Sequence, residues 1–99
     1  MDFDWNSANI EHIGRHGVTS EEAEQVIQND PIDARAVLRN GETRTVNLGK
    51  TDTGRVLVVV VTERNNLYRV VTARLAKKKE RAFYAEHKAG TNDQDPTDS

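Results

Sequence analysis

The apolar positions of this chain gather in one place. Val56-Leu57-Val58-Val59-Val60-Val61 is an unbroken apolar run that meets a polar corner at Glu63-Arg64-Asn65-Asn66 and returns through Leu67, Val70 and Val71. β-Branched density of this kind, bounded by a turn signal, predicts two adjacent antiparallel strands. The first leg is apolar at every position and predicts a central strand buried on both faces. Strict alternation in the return leg sets Tyr68, Val70 and Thr72 on one face, with Leu67, Arg69, Val71 and Ala73 on the other. Arg55, Arg69 and Arg74 mark the ends and the middle of this hairpin.

Elsewhere the pattern is thinner. Phe3-Asp4-Trp5 alternates and predicts a short edge strand with both rings turned inward. Asn6 or Ser7 can cap a helix over residues 8–16 that buries Ile10 and Ile13. Gly17 stands at its end, with Val18 as the accompanying hydrophobic contact. Thr19-Ser20-Glu21-Glu22 is a capping-box pattern opening a second helix over residues 20–29, which buries Ala23, Val26 and Ile27 and stops before Pro31. Residues 34–39 and 43–48 predict two strands around an Asn40-Gly41 turn. Residues 75–88 favour helix by composition and dock through Ala76, Phe83 and either Leu75 or Ala82. The order of elements implies one α+β domain over residues 1–88, its helices segregated to one face of an antiparallel meander. Residues 89–99, polar and acidic, predict a disordered tail.

Composition narrows the class. The 99 residues suffice for one modest core, there is no cysteine, and 35% of the chain is hydrophobic. No apolar run approaches the roughly 18 residues of a membrane span, and the start lacks the basic and apolar segments of a secretory leader. A cytoplasmic protein without membrane association is the expectation. The net charge of −2 conceals a segregation. Residues 1–54 carry five Lys/Arg and ten Asp/Glu; residues 55–88 carry nine and three. A basic second half is the footprint of a phosphate-binding face, with the acidic half turned elsewhere.

That face suggests a chemistry. RNA can be cut without a metal when its own 2′-hydroxyl attacks the neighbouring phosphate. The reaction needs a base for that hydroxyl, an acid for the leaving oxygen, and cations for the phosphorane. Arginine suits the last role because its planar fork grips phosphate and stays charged. Arg64, Arg69, Arg74 and Arg81 surround the hairpin and the helix after it; Glu63, Glu80, Tyr84, His12, His16 and His87 are the acid–base pool. Each also has an ordinary explanation. Glu80 and Tyr84, or Lys77 and Arg81, are i,i+4 pairs of a kind found on any helix surface, and Tyr84 can simply pack. His12 and His16 share that spacing but lack the glutamate of a zincin motif and an evident third ligand, so no metal site is expected.

The segments Asn9-Ile10-Glu11-His12-Ile13-Gly14-Arg15-His16-Gly17-Val18-Thr19 and Ser20-Glu21-Glu22-Ala23-Glu24-Gln25-Val26 resemble the opening helices of the BrnT family of toxins. Gly54-Arg55-Val56-Leu57-Val58-Val59-Val60, Arg69-Val70-Val71-Thr72-Ala73-Arg74 and Lys79-Glu80-Arg81-Ala82-Phe83-Tyr84 resemble its second half. The chain departs from the family pattern at Gly41-Glu42-Thr43-Arg44 and at Val26-Ile27. The resemblance implies a RelE/ParE-like fold, a ribonuclease toxin of a bacterial type II toxin–antitoxin pair that inhibits translation, and no cofactor. It also implies a BrnA-like, DNA-binding antitoxin as partner, with room for a higher-order assembly. By position it singles out Arg64, Arg74, Glu80, Arg81, Tyr84 and His16 as catalytic candidates, with the base and acid left open among Glu63, Glu80 and His16. Arg55, Arg69, Lys77, Lys78 and Lys79 flank them as RNA-binding candidates. The competing expectation is a module that only binds its antitoxin and cuts nothing.

Overall fold

A computed structural model describes residues 2–93. Two short helices, α1 (Ser7–Gly14) and α2 (Ser20–Gln28), precede four strands, β1 (Ile32–Arg39), β2 (Glu42–Lys50), β3 (Val56–Arg64) and β4 (Leu67–Leu75), and α3 (Lys78–Asp93) follows. The strands form one antiparallel sheet in sequential order. Its two tight turns, Asn40-Gly41 and Asn65-Asn66, have positive φ at both central residues, the backbone that matches the twist of two-residue hairpins. The expected N-terminal strand is reduced to a single bridge from Phe3 to Tyr68, parallel to β4. The helix at the end runs on to Asp93, past the expected start of the tail; residues 94–99 lie outside the described residues.

The N-terminal helices are held by their caps. Asn6 accepts from the Asn9 N–H, and Thr19 and Glu22 form the reciprocal capping box. At the end of α1 the Val18 N–H reaches the Ile13 carbonyl (3.2 Å) and the Gly17 N–H reaches Gly14 (3.0 Å), a Schellman pattern with Gly17 at φ +76°. α2 seats directly on the sheet at Gly49, where an added Cβ would stand 3.0 Å from a Val26 methyl.

β3 is covered from both sides, and this divides the helices. Leu57, Val59 and Val61 join Ile13, Val18, Ala23 and Val26 under α1 and α2. Val58 faces the other way and joins Ile32, Leu48, Ala76 and Tyr84 under α3. The helices are therefore not segregated to one face: a strand apolar on both sides needs cover on both. Two expected docking residues also change places. Phe83 is 50% exposed and Tyr84 only 7%, so Tyr84 carries the contact of α3 with the sheet, and Leu75 is half exposed. On α1, Ile13 is fully buried while Ile10 is 45% exposed.

Candidate active site

The site begins with a break in alternation. β3 and β4 pair in register up to Val60–Thr72 on one side and from Val61–Val70 on the other, leaving Val71 unmatched between them. This β-bulge shifts every later residue of β4 by one face. Val70 and Ala73, rather than Val70 and Thr72, point into the core beneath α1, and both are fully buried. Thr72 and Arg74 consequently share the face of Val58 and Val60, as does Arg69, paired with Thr62 before the bulge. Without the extra residue Arg69 and Arg74 would lie on opposite sides of the sheet.

Arg74 then meets the first turn of α3. Its Nη1 and Nη2 donate to the two carboxylate oxygens of Glu80 at 2.8 and 2.9 Å, a fork-to-fork pair. Glu80 also accepts the Lys77 N–H at 2.7 Å, which caps the helix and fixes the carboxylate. Arg74 Nη1 touches the Leu75 carbonyl (3.2 Å) and Arg81 Nη1 donates to the next carbonyl, Ala76 (2.8 Å). Two guanidiniums are thus anchored on adjacent residues of the β4–α3 junction. The Arg74 hydrogen bonds, helped by the Lys77 N–H, hold the Glu80 carboxyl well below the usual carboxylate range, at about 2. The same bond raises Arg74. Glu80 is therefore a fixed anion near neutrality, a clamp for Arg74 and unsuited to deliver a proton.

Imidazoles come from the other side. Asn9 donates to the Val70 carbonyl (3.2 Å), and His12 Nε2 lies 3.1 Å from the Thr72 hydroxyl, so α1 runs along β4 with rising residue numbers in both. The His16 ring packs edge-on against His12, centroids 5.4 Å apart. Thr72 and Arg74 are next neighbours on one strand face, so the His12 contact and the Arg74–Glu80 pair lie two residues apart along β4.

Over residues 5–80 the chain matches the family described as the ribonuclease toxin, BrnT, of type II toxin–antitoxin systems. The chain belongs to the BrnT ribonuclease toxin family. No curated protein matches it. A BrnT toxin of a type II system implies a cognate antitoxin. The match ends at Glu80, so Arg81, Phe83 and Tyr84 lie just beyond it. Among the described residues no helix is long and apolar enough to cross a membrane, and no group of three His, Cys, Asp or Glu is placed to hold a metal ion.

In this BrnT chain the remaining candidates disperse. Arg64 sits at the β3–β4 turn, six positions along β3 from Val58 and hence about 20 Å from Arg74. It pairs with Glu42 at 2.9 Å. Glu63 is exposed at the same tip and on the opposite face. Arg55 is tied to Glu22 and to the Gly17 carbonyl, and Arg69 to Asp4. The acidic first half is therefore not turned away from the basic half; Asp4, Glu22 and Glu42 each hold one of its arginines. Lys77, Lys78 and Lys79 are exposed at the start of α3, and Tyr84 is core. His12 and Thr72 meet on β4 two residues from Arg74, whereas Arg64 and Glu63 lie at the hairpin tip. The i,i+4 histidine spacing signalled the pair; its partner Thr72 was hidden by the bulge.

The Glu80 carboxyl has a consequence for stability. Because its pKa falls from 4.5 to about 2 on folding, the ion pair stabilises the fold fully above about pH 5, and that contribution disappears as pH drops toward 2. Both partners are about one-third exposed, so the pair is worth about 1 kcal/mol at most. Thermal melts of Glu80→Gln are expected to run below wild type at pH 7, with the gap closing by pH 2. A constant gap would contradict the linkage.

Proposed function

We propose that this toxin cuts RNA without a metal, at the edge of β4, by attack of the ribose 2′-hydroxyl on its own 3′-phosphate. The observation that carries the reading is the junction where Arg74 and Arg81 are anchored on adjacent carbonyls, two residues along β4 from the Thr72 hydroxyl that meets His12. A phosphate on the two guanidiniums has its developing phosphorane charge stabilised by fixed cations. His12, oriented by Thr72, accepts the 2′-hydroxyl proton as the O2′–P bond forms. His16 gives a proton to O5′ as the P–O5′ bond breaks. Imidazole is the side chain suited to both duties near neutrality. Glu80 holds Arg74 in place, and Arg81 with Lys77–Lys79 supplies the net positive potential that the neutral Arg74–Glu80 pair lacks.

The helix–helix–meander–helix order supports a RelE/ParE-like fold. The family supports reading it as a translation-arresting mRNA interferase of the bacterial cytoplasm, neutralised by a BrnA-like DNA-binding antitoxin. Product ends test the chemistry. Purified protein is expected to leave 2′,3′-cyclic phosphate and 5′-hydroxyl ends, with undiminished rate in EDTA. Ends bearing 5′-phosphate, or activity lost to EDTA and restored by a divalent ion, would refute the mechanism. Tight antitoxin binding with no cleavage at any protein concentration would favour the non-enzymatic module.

A further inference from the structure

Phe83 is half exposed on a helix that is otherwise polar outside its buried contacts, and Tyr84 rather than Phe83 joins the core beneath α3. It stands over a small groove of about 220 Å³ lined by Val46 and Leu48 of β2, Val58 of β3, and Lys79, Glu80 and Phe83 of α3. The groove shares Glu80 with the arginine site. Arg74 pairs across the sheet with Val58, and Val58 with Leu48, so the three form a row leading inward from the edge strand at about 4.8 Å per step. On α3, Phe83 is one turn beyond Glu80, the residue that clamps Arg74. The His87 ring lies 5.9 Å from Phe83 at 30°, extending the aromatic surface along the helix.

We propose that this groove takes one unpaired nucleobase of the RNA, the base attached to the phosphate held by Arg74 and Arg81, stacked on the Phe83 ring. This rests on the phosphate site described above. The occupant follows from the neighbourhood. The walls are largely apolar, Lys79 stands at the rim, and the Arg74–Glu80 pair adjoins it through Glu80, so an aromatic ring attached to a phosphate fits both. Single-stranded RNA is recognised by this combination, a basic track with exposed aromatic rings on which bases stack. The volume also fits one ring system rather than a whole small molecule, whose sites run to about 300–1,000 Å³. The groove offers few polar atoms beyond Lys79 and Glu80, so stacking dominates and preference among bases is weak.

The test uses the full chain and a short RNA with one cleaved bond, together with its uncleavable 2′-O-methyl analogue. Phe83→Ala is expected to raise KM for the RNA, and Kd for the analogue, roughly tenfold, with Phe83→Tyr restoring both and Phe83→Leu failing to. Replacing the nucleotide beside the cleaved bond by an abasic one should weaken binding to wild type by a similar factor and to Phe83→Ala hardly at all, because the two changes remove one contact. 2-Aminopurine at that position should be quenched by wild type and not by Phe83→Leu. Equal Kd for wild type and Phe83→Ala, or equal abasic losses in both, would overturn the proposal. So would a Phe83→Ala protein that cuts normally but escapes its antitoxin, since the groove would then belong to the antitoxin. Failure of the phosphate site itself reads differently: Arg74→Ala would keep full activity whatever Phe83 does.

Discussion

Arg74→Ala is expected to lower the rate of RNA cleavage by about two to three orders of magnitude without unfolding the protein. Removing one preorganised donor from a site that stabilises developing negative charge costs about that much. The side chain is 38% exposed, so its removal leaves no large cavity, and Glu80 keeps the Lys77 N–H as a partner. The stability loss should therefore stay near 1 kcal/mol, the upper end for exposed pairs. Arg74→Lys retains charge but not the fork and should recover only part of the rate. Arg64→Ala, about 20 Å away at the hairpin tip, should cut at close to the wild-type rate. The measurement is single-turnover cleavage with a thermal melt of each variant. Wild-type cleavage by folded Arg74→Ala would remove the arginine from the chemistry. Loss of activity in Arg64→Ala alone would move the site to the tip of the hairpin.

That contrast between Arg64 and Arg74 shows what the sequence made legible. Both arginines flank one hairpin, and a linear reading groups them. In the sheet they lie at opposite ends, because β3 and β4 are nine-residue strands. The caps of α1 and α2, the two-residue turns and the doubly buried valine strand could all be read, since each depends on neighbours within a few positions. The bulge at Val71 could not. Nothing in Val70-Val71-Thr72 distinguishes a bulged residue from a paired one, and the one-residue slip it introduces decides which side chains join Arg74. The same applies to α3. Phe83 and Tyr84 are adjacent aromatics, and which one docks depends on the rotation of a helix whose approach is set by Ala76 and by Glu80's hold on Arg74.

The arginines follow a common rule that the charge pattern did not reveal. Arg55, Arg64 and Arg69 each meet a carboxylate from the first half of the chain, Glu22, Glu42 and Asp4. These pairs tie α2, β2 and the N-terminal segment to the hairpin. Arg74 instead takes its carboxylate from α3, six residues ahead, so its position is fixed locally, at the junction where Arg81 also lies. The basic half thus divides into cations spent on architecture and cations gathered at one edge. It is the second group that the proposed mechanism uses.

The largest effect on stability should come from Leu57→Ala. Leu57 is fully buried at the start of β3, within the cluster that α1 and α2 cover. Truncating a buried leucine costs about 2–5 kcal/mol, the range reflecting how far the site collapses. Collapse is restricted here, because Gly49, paired with Leu57 across the sheet, already stands close against Val26 of α2. A chain of this size has a total stability of about 5–15 kcal/mol, so the loss is a substantial fraction of it, with a melting temperature lower by roughly 10–30 °C. Leu38→Ala provides the control, since that side chain is 72% exposed and its loss should fall within about 0.5 kcal/mol. Val58→Ala, beneath α3 on the opposite face, removes less volume and should cost less than Leu57→Ala. It should also loosen the junction that holds Glu80 and Arg81, lowering cleavage at temperatures where the fold persists. Equal melting temperatures for Leu57→Ala and Leu38→Ala would mean that β3 is not the strand on which both halves of the core depend.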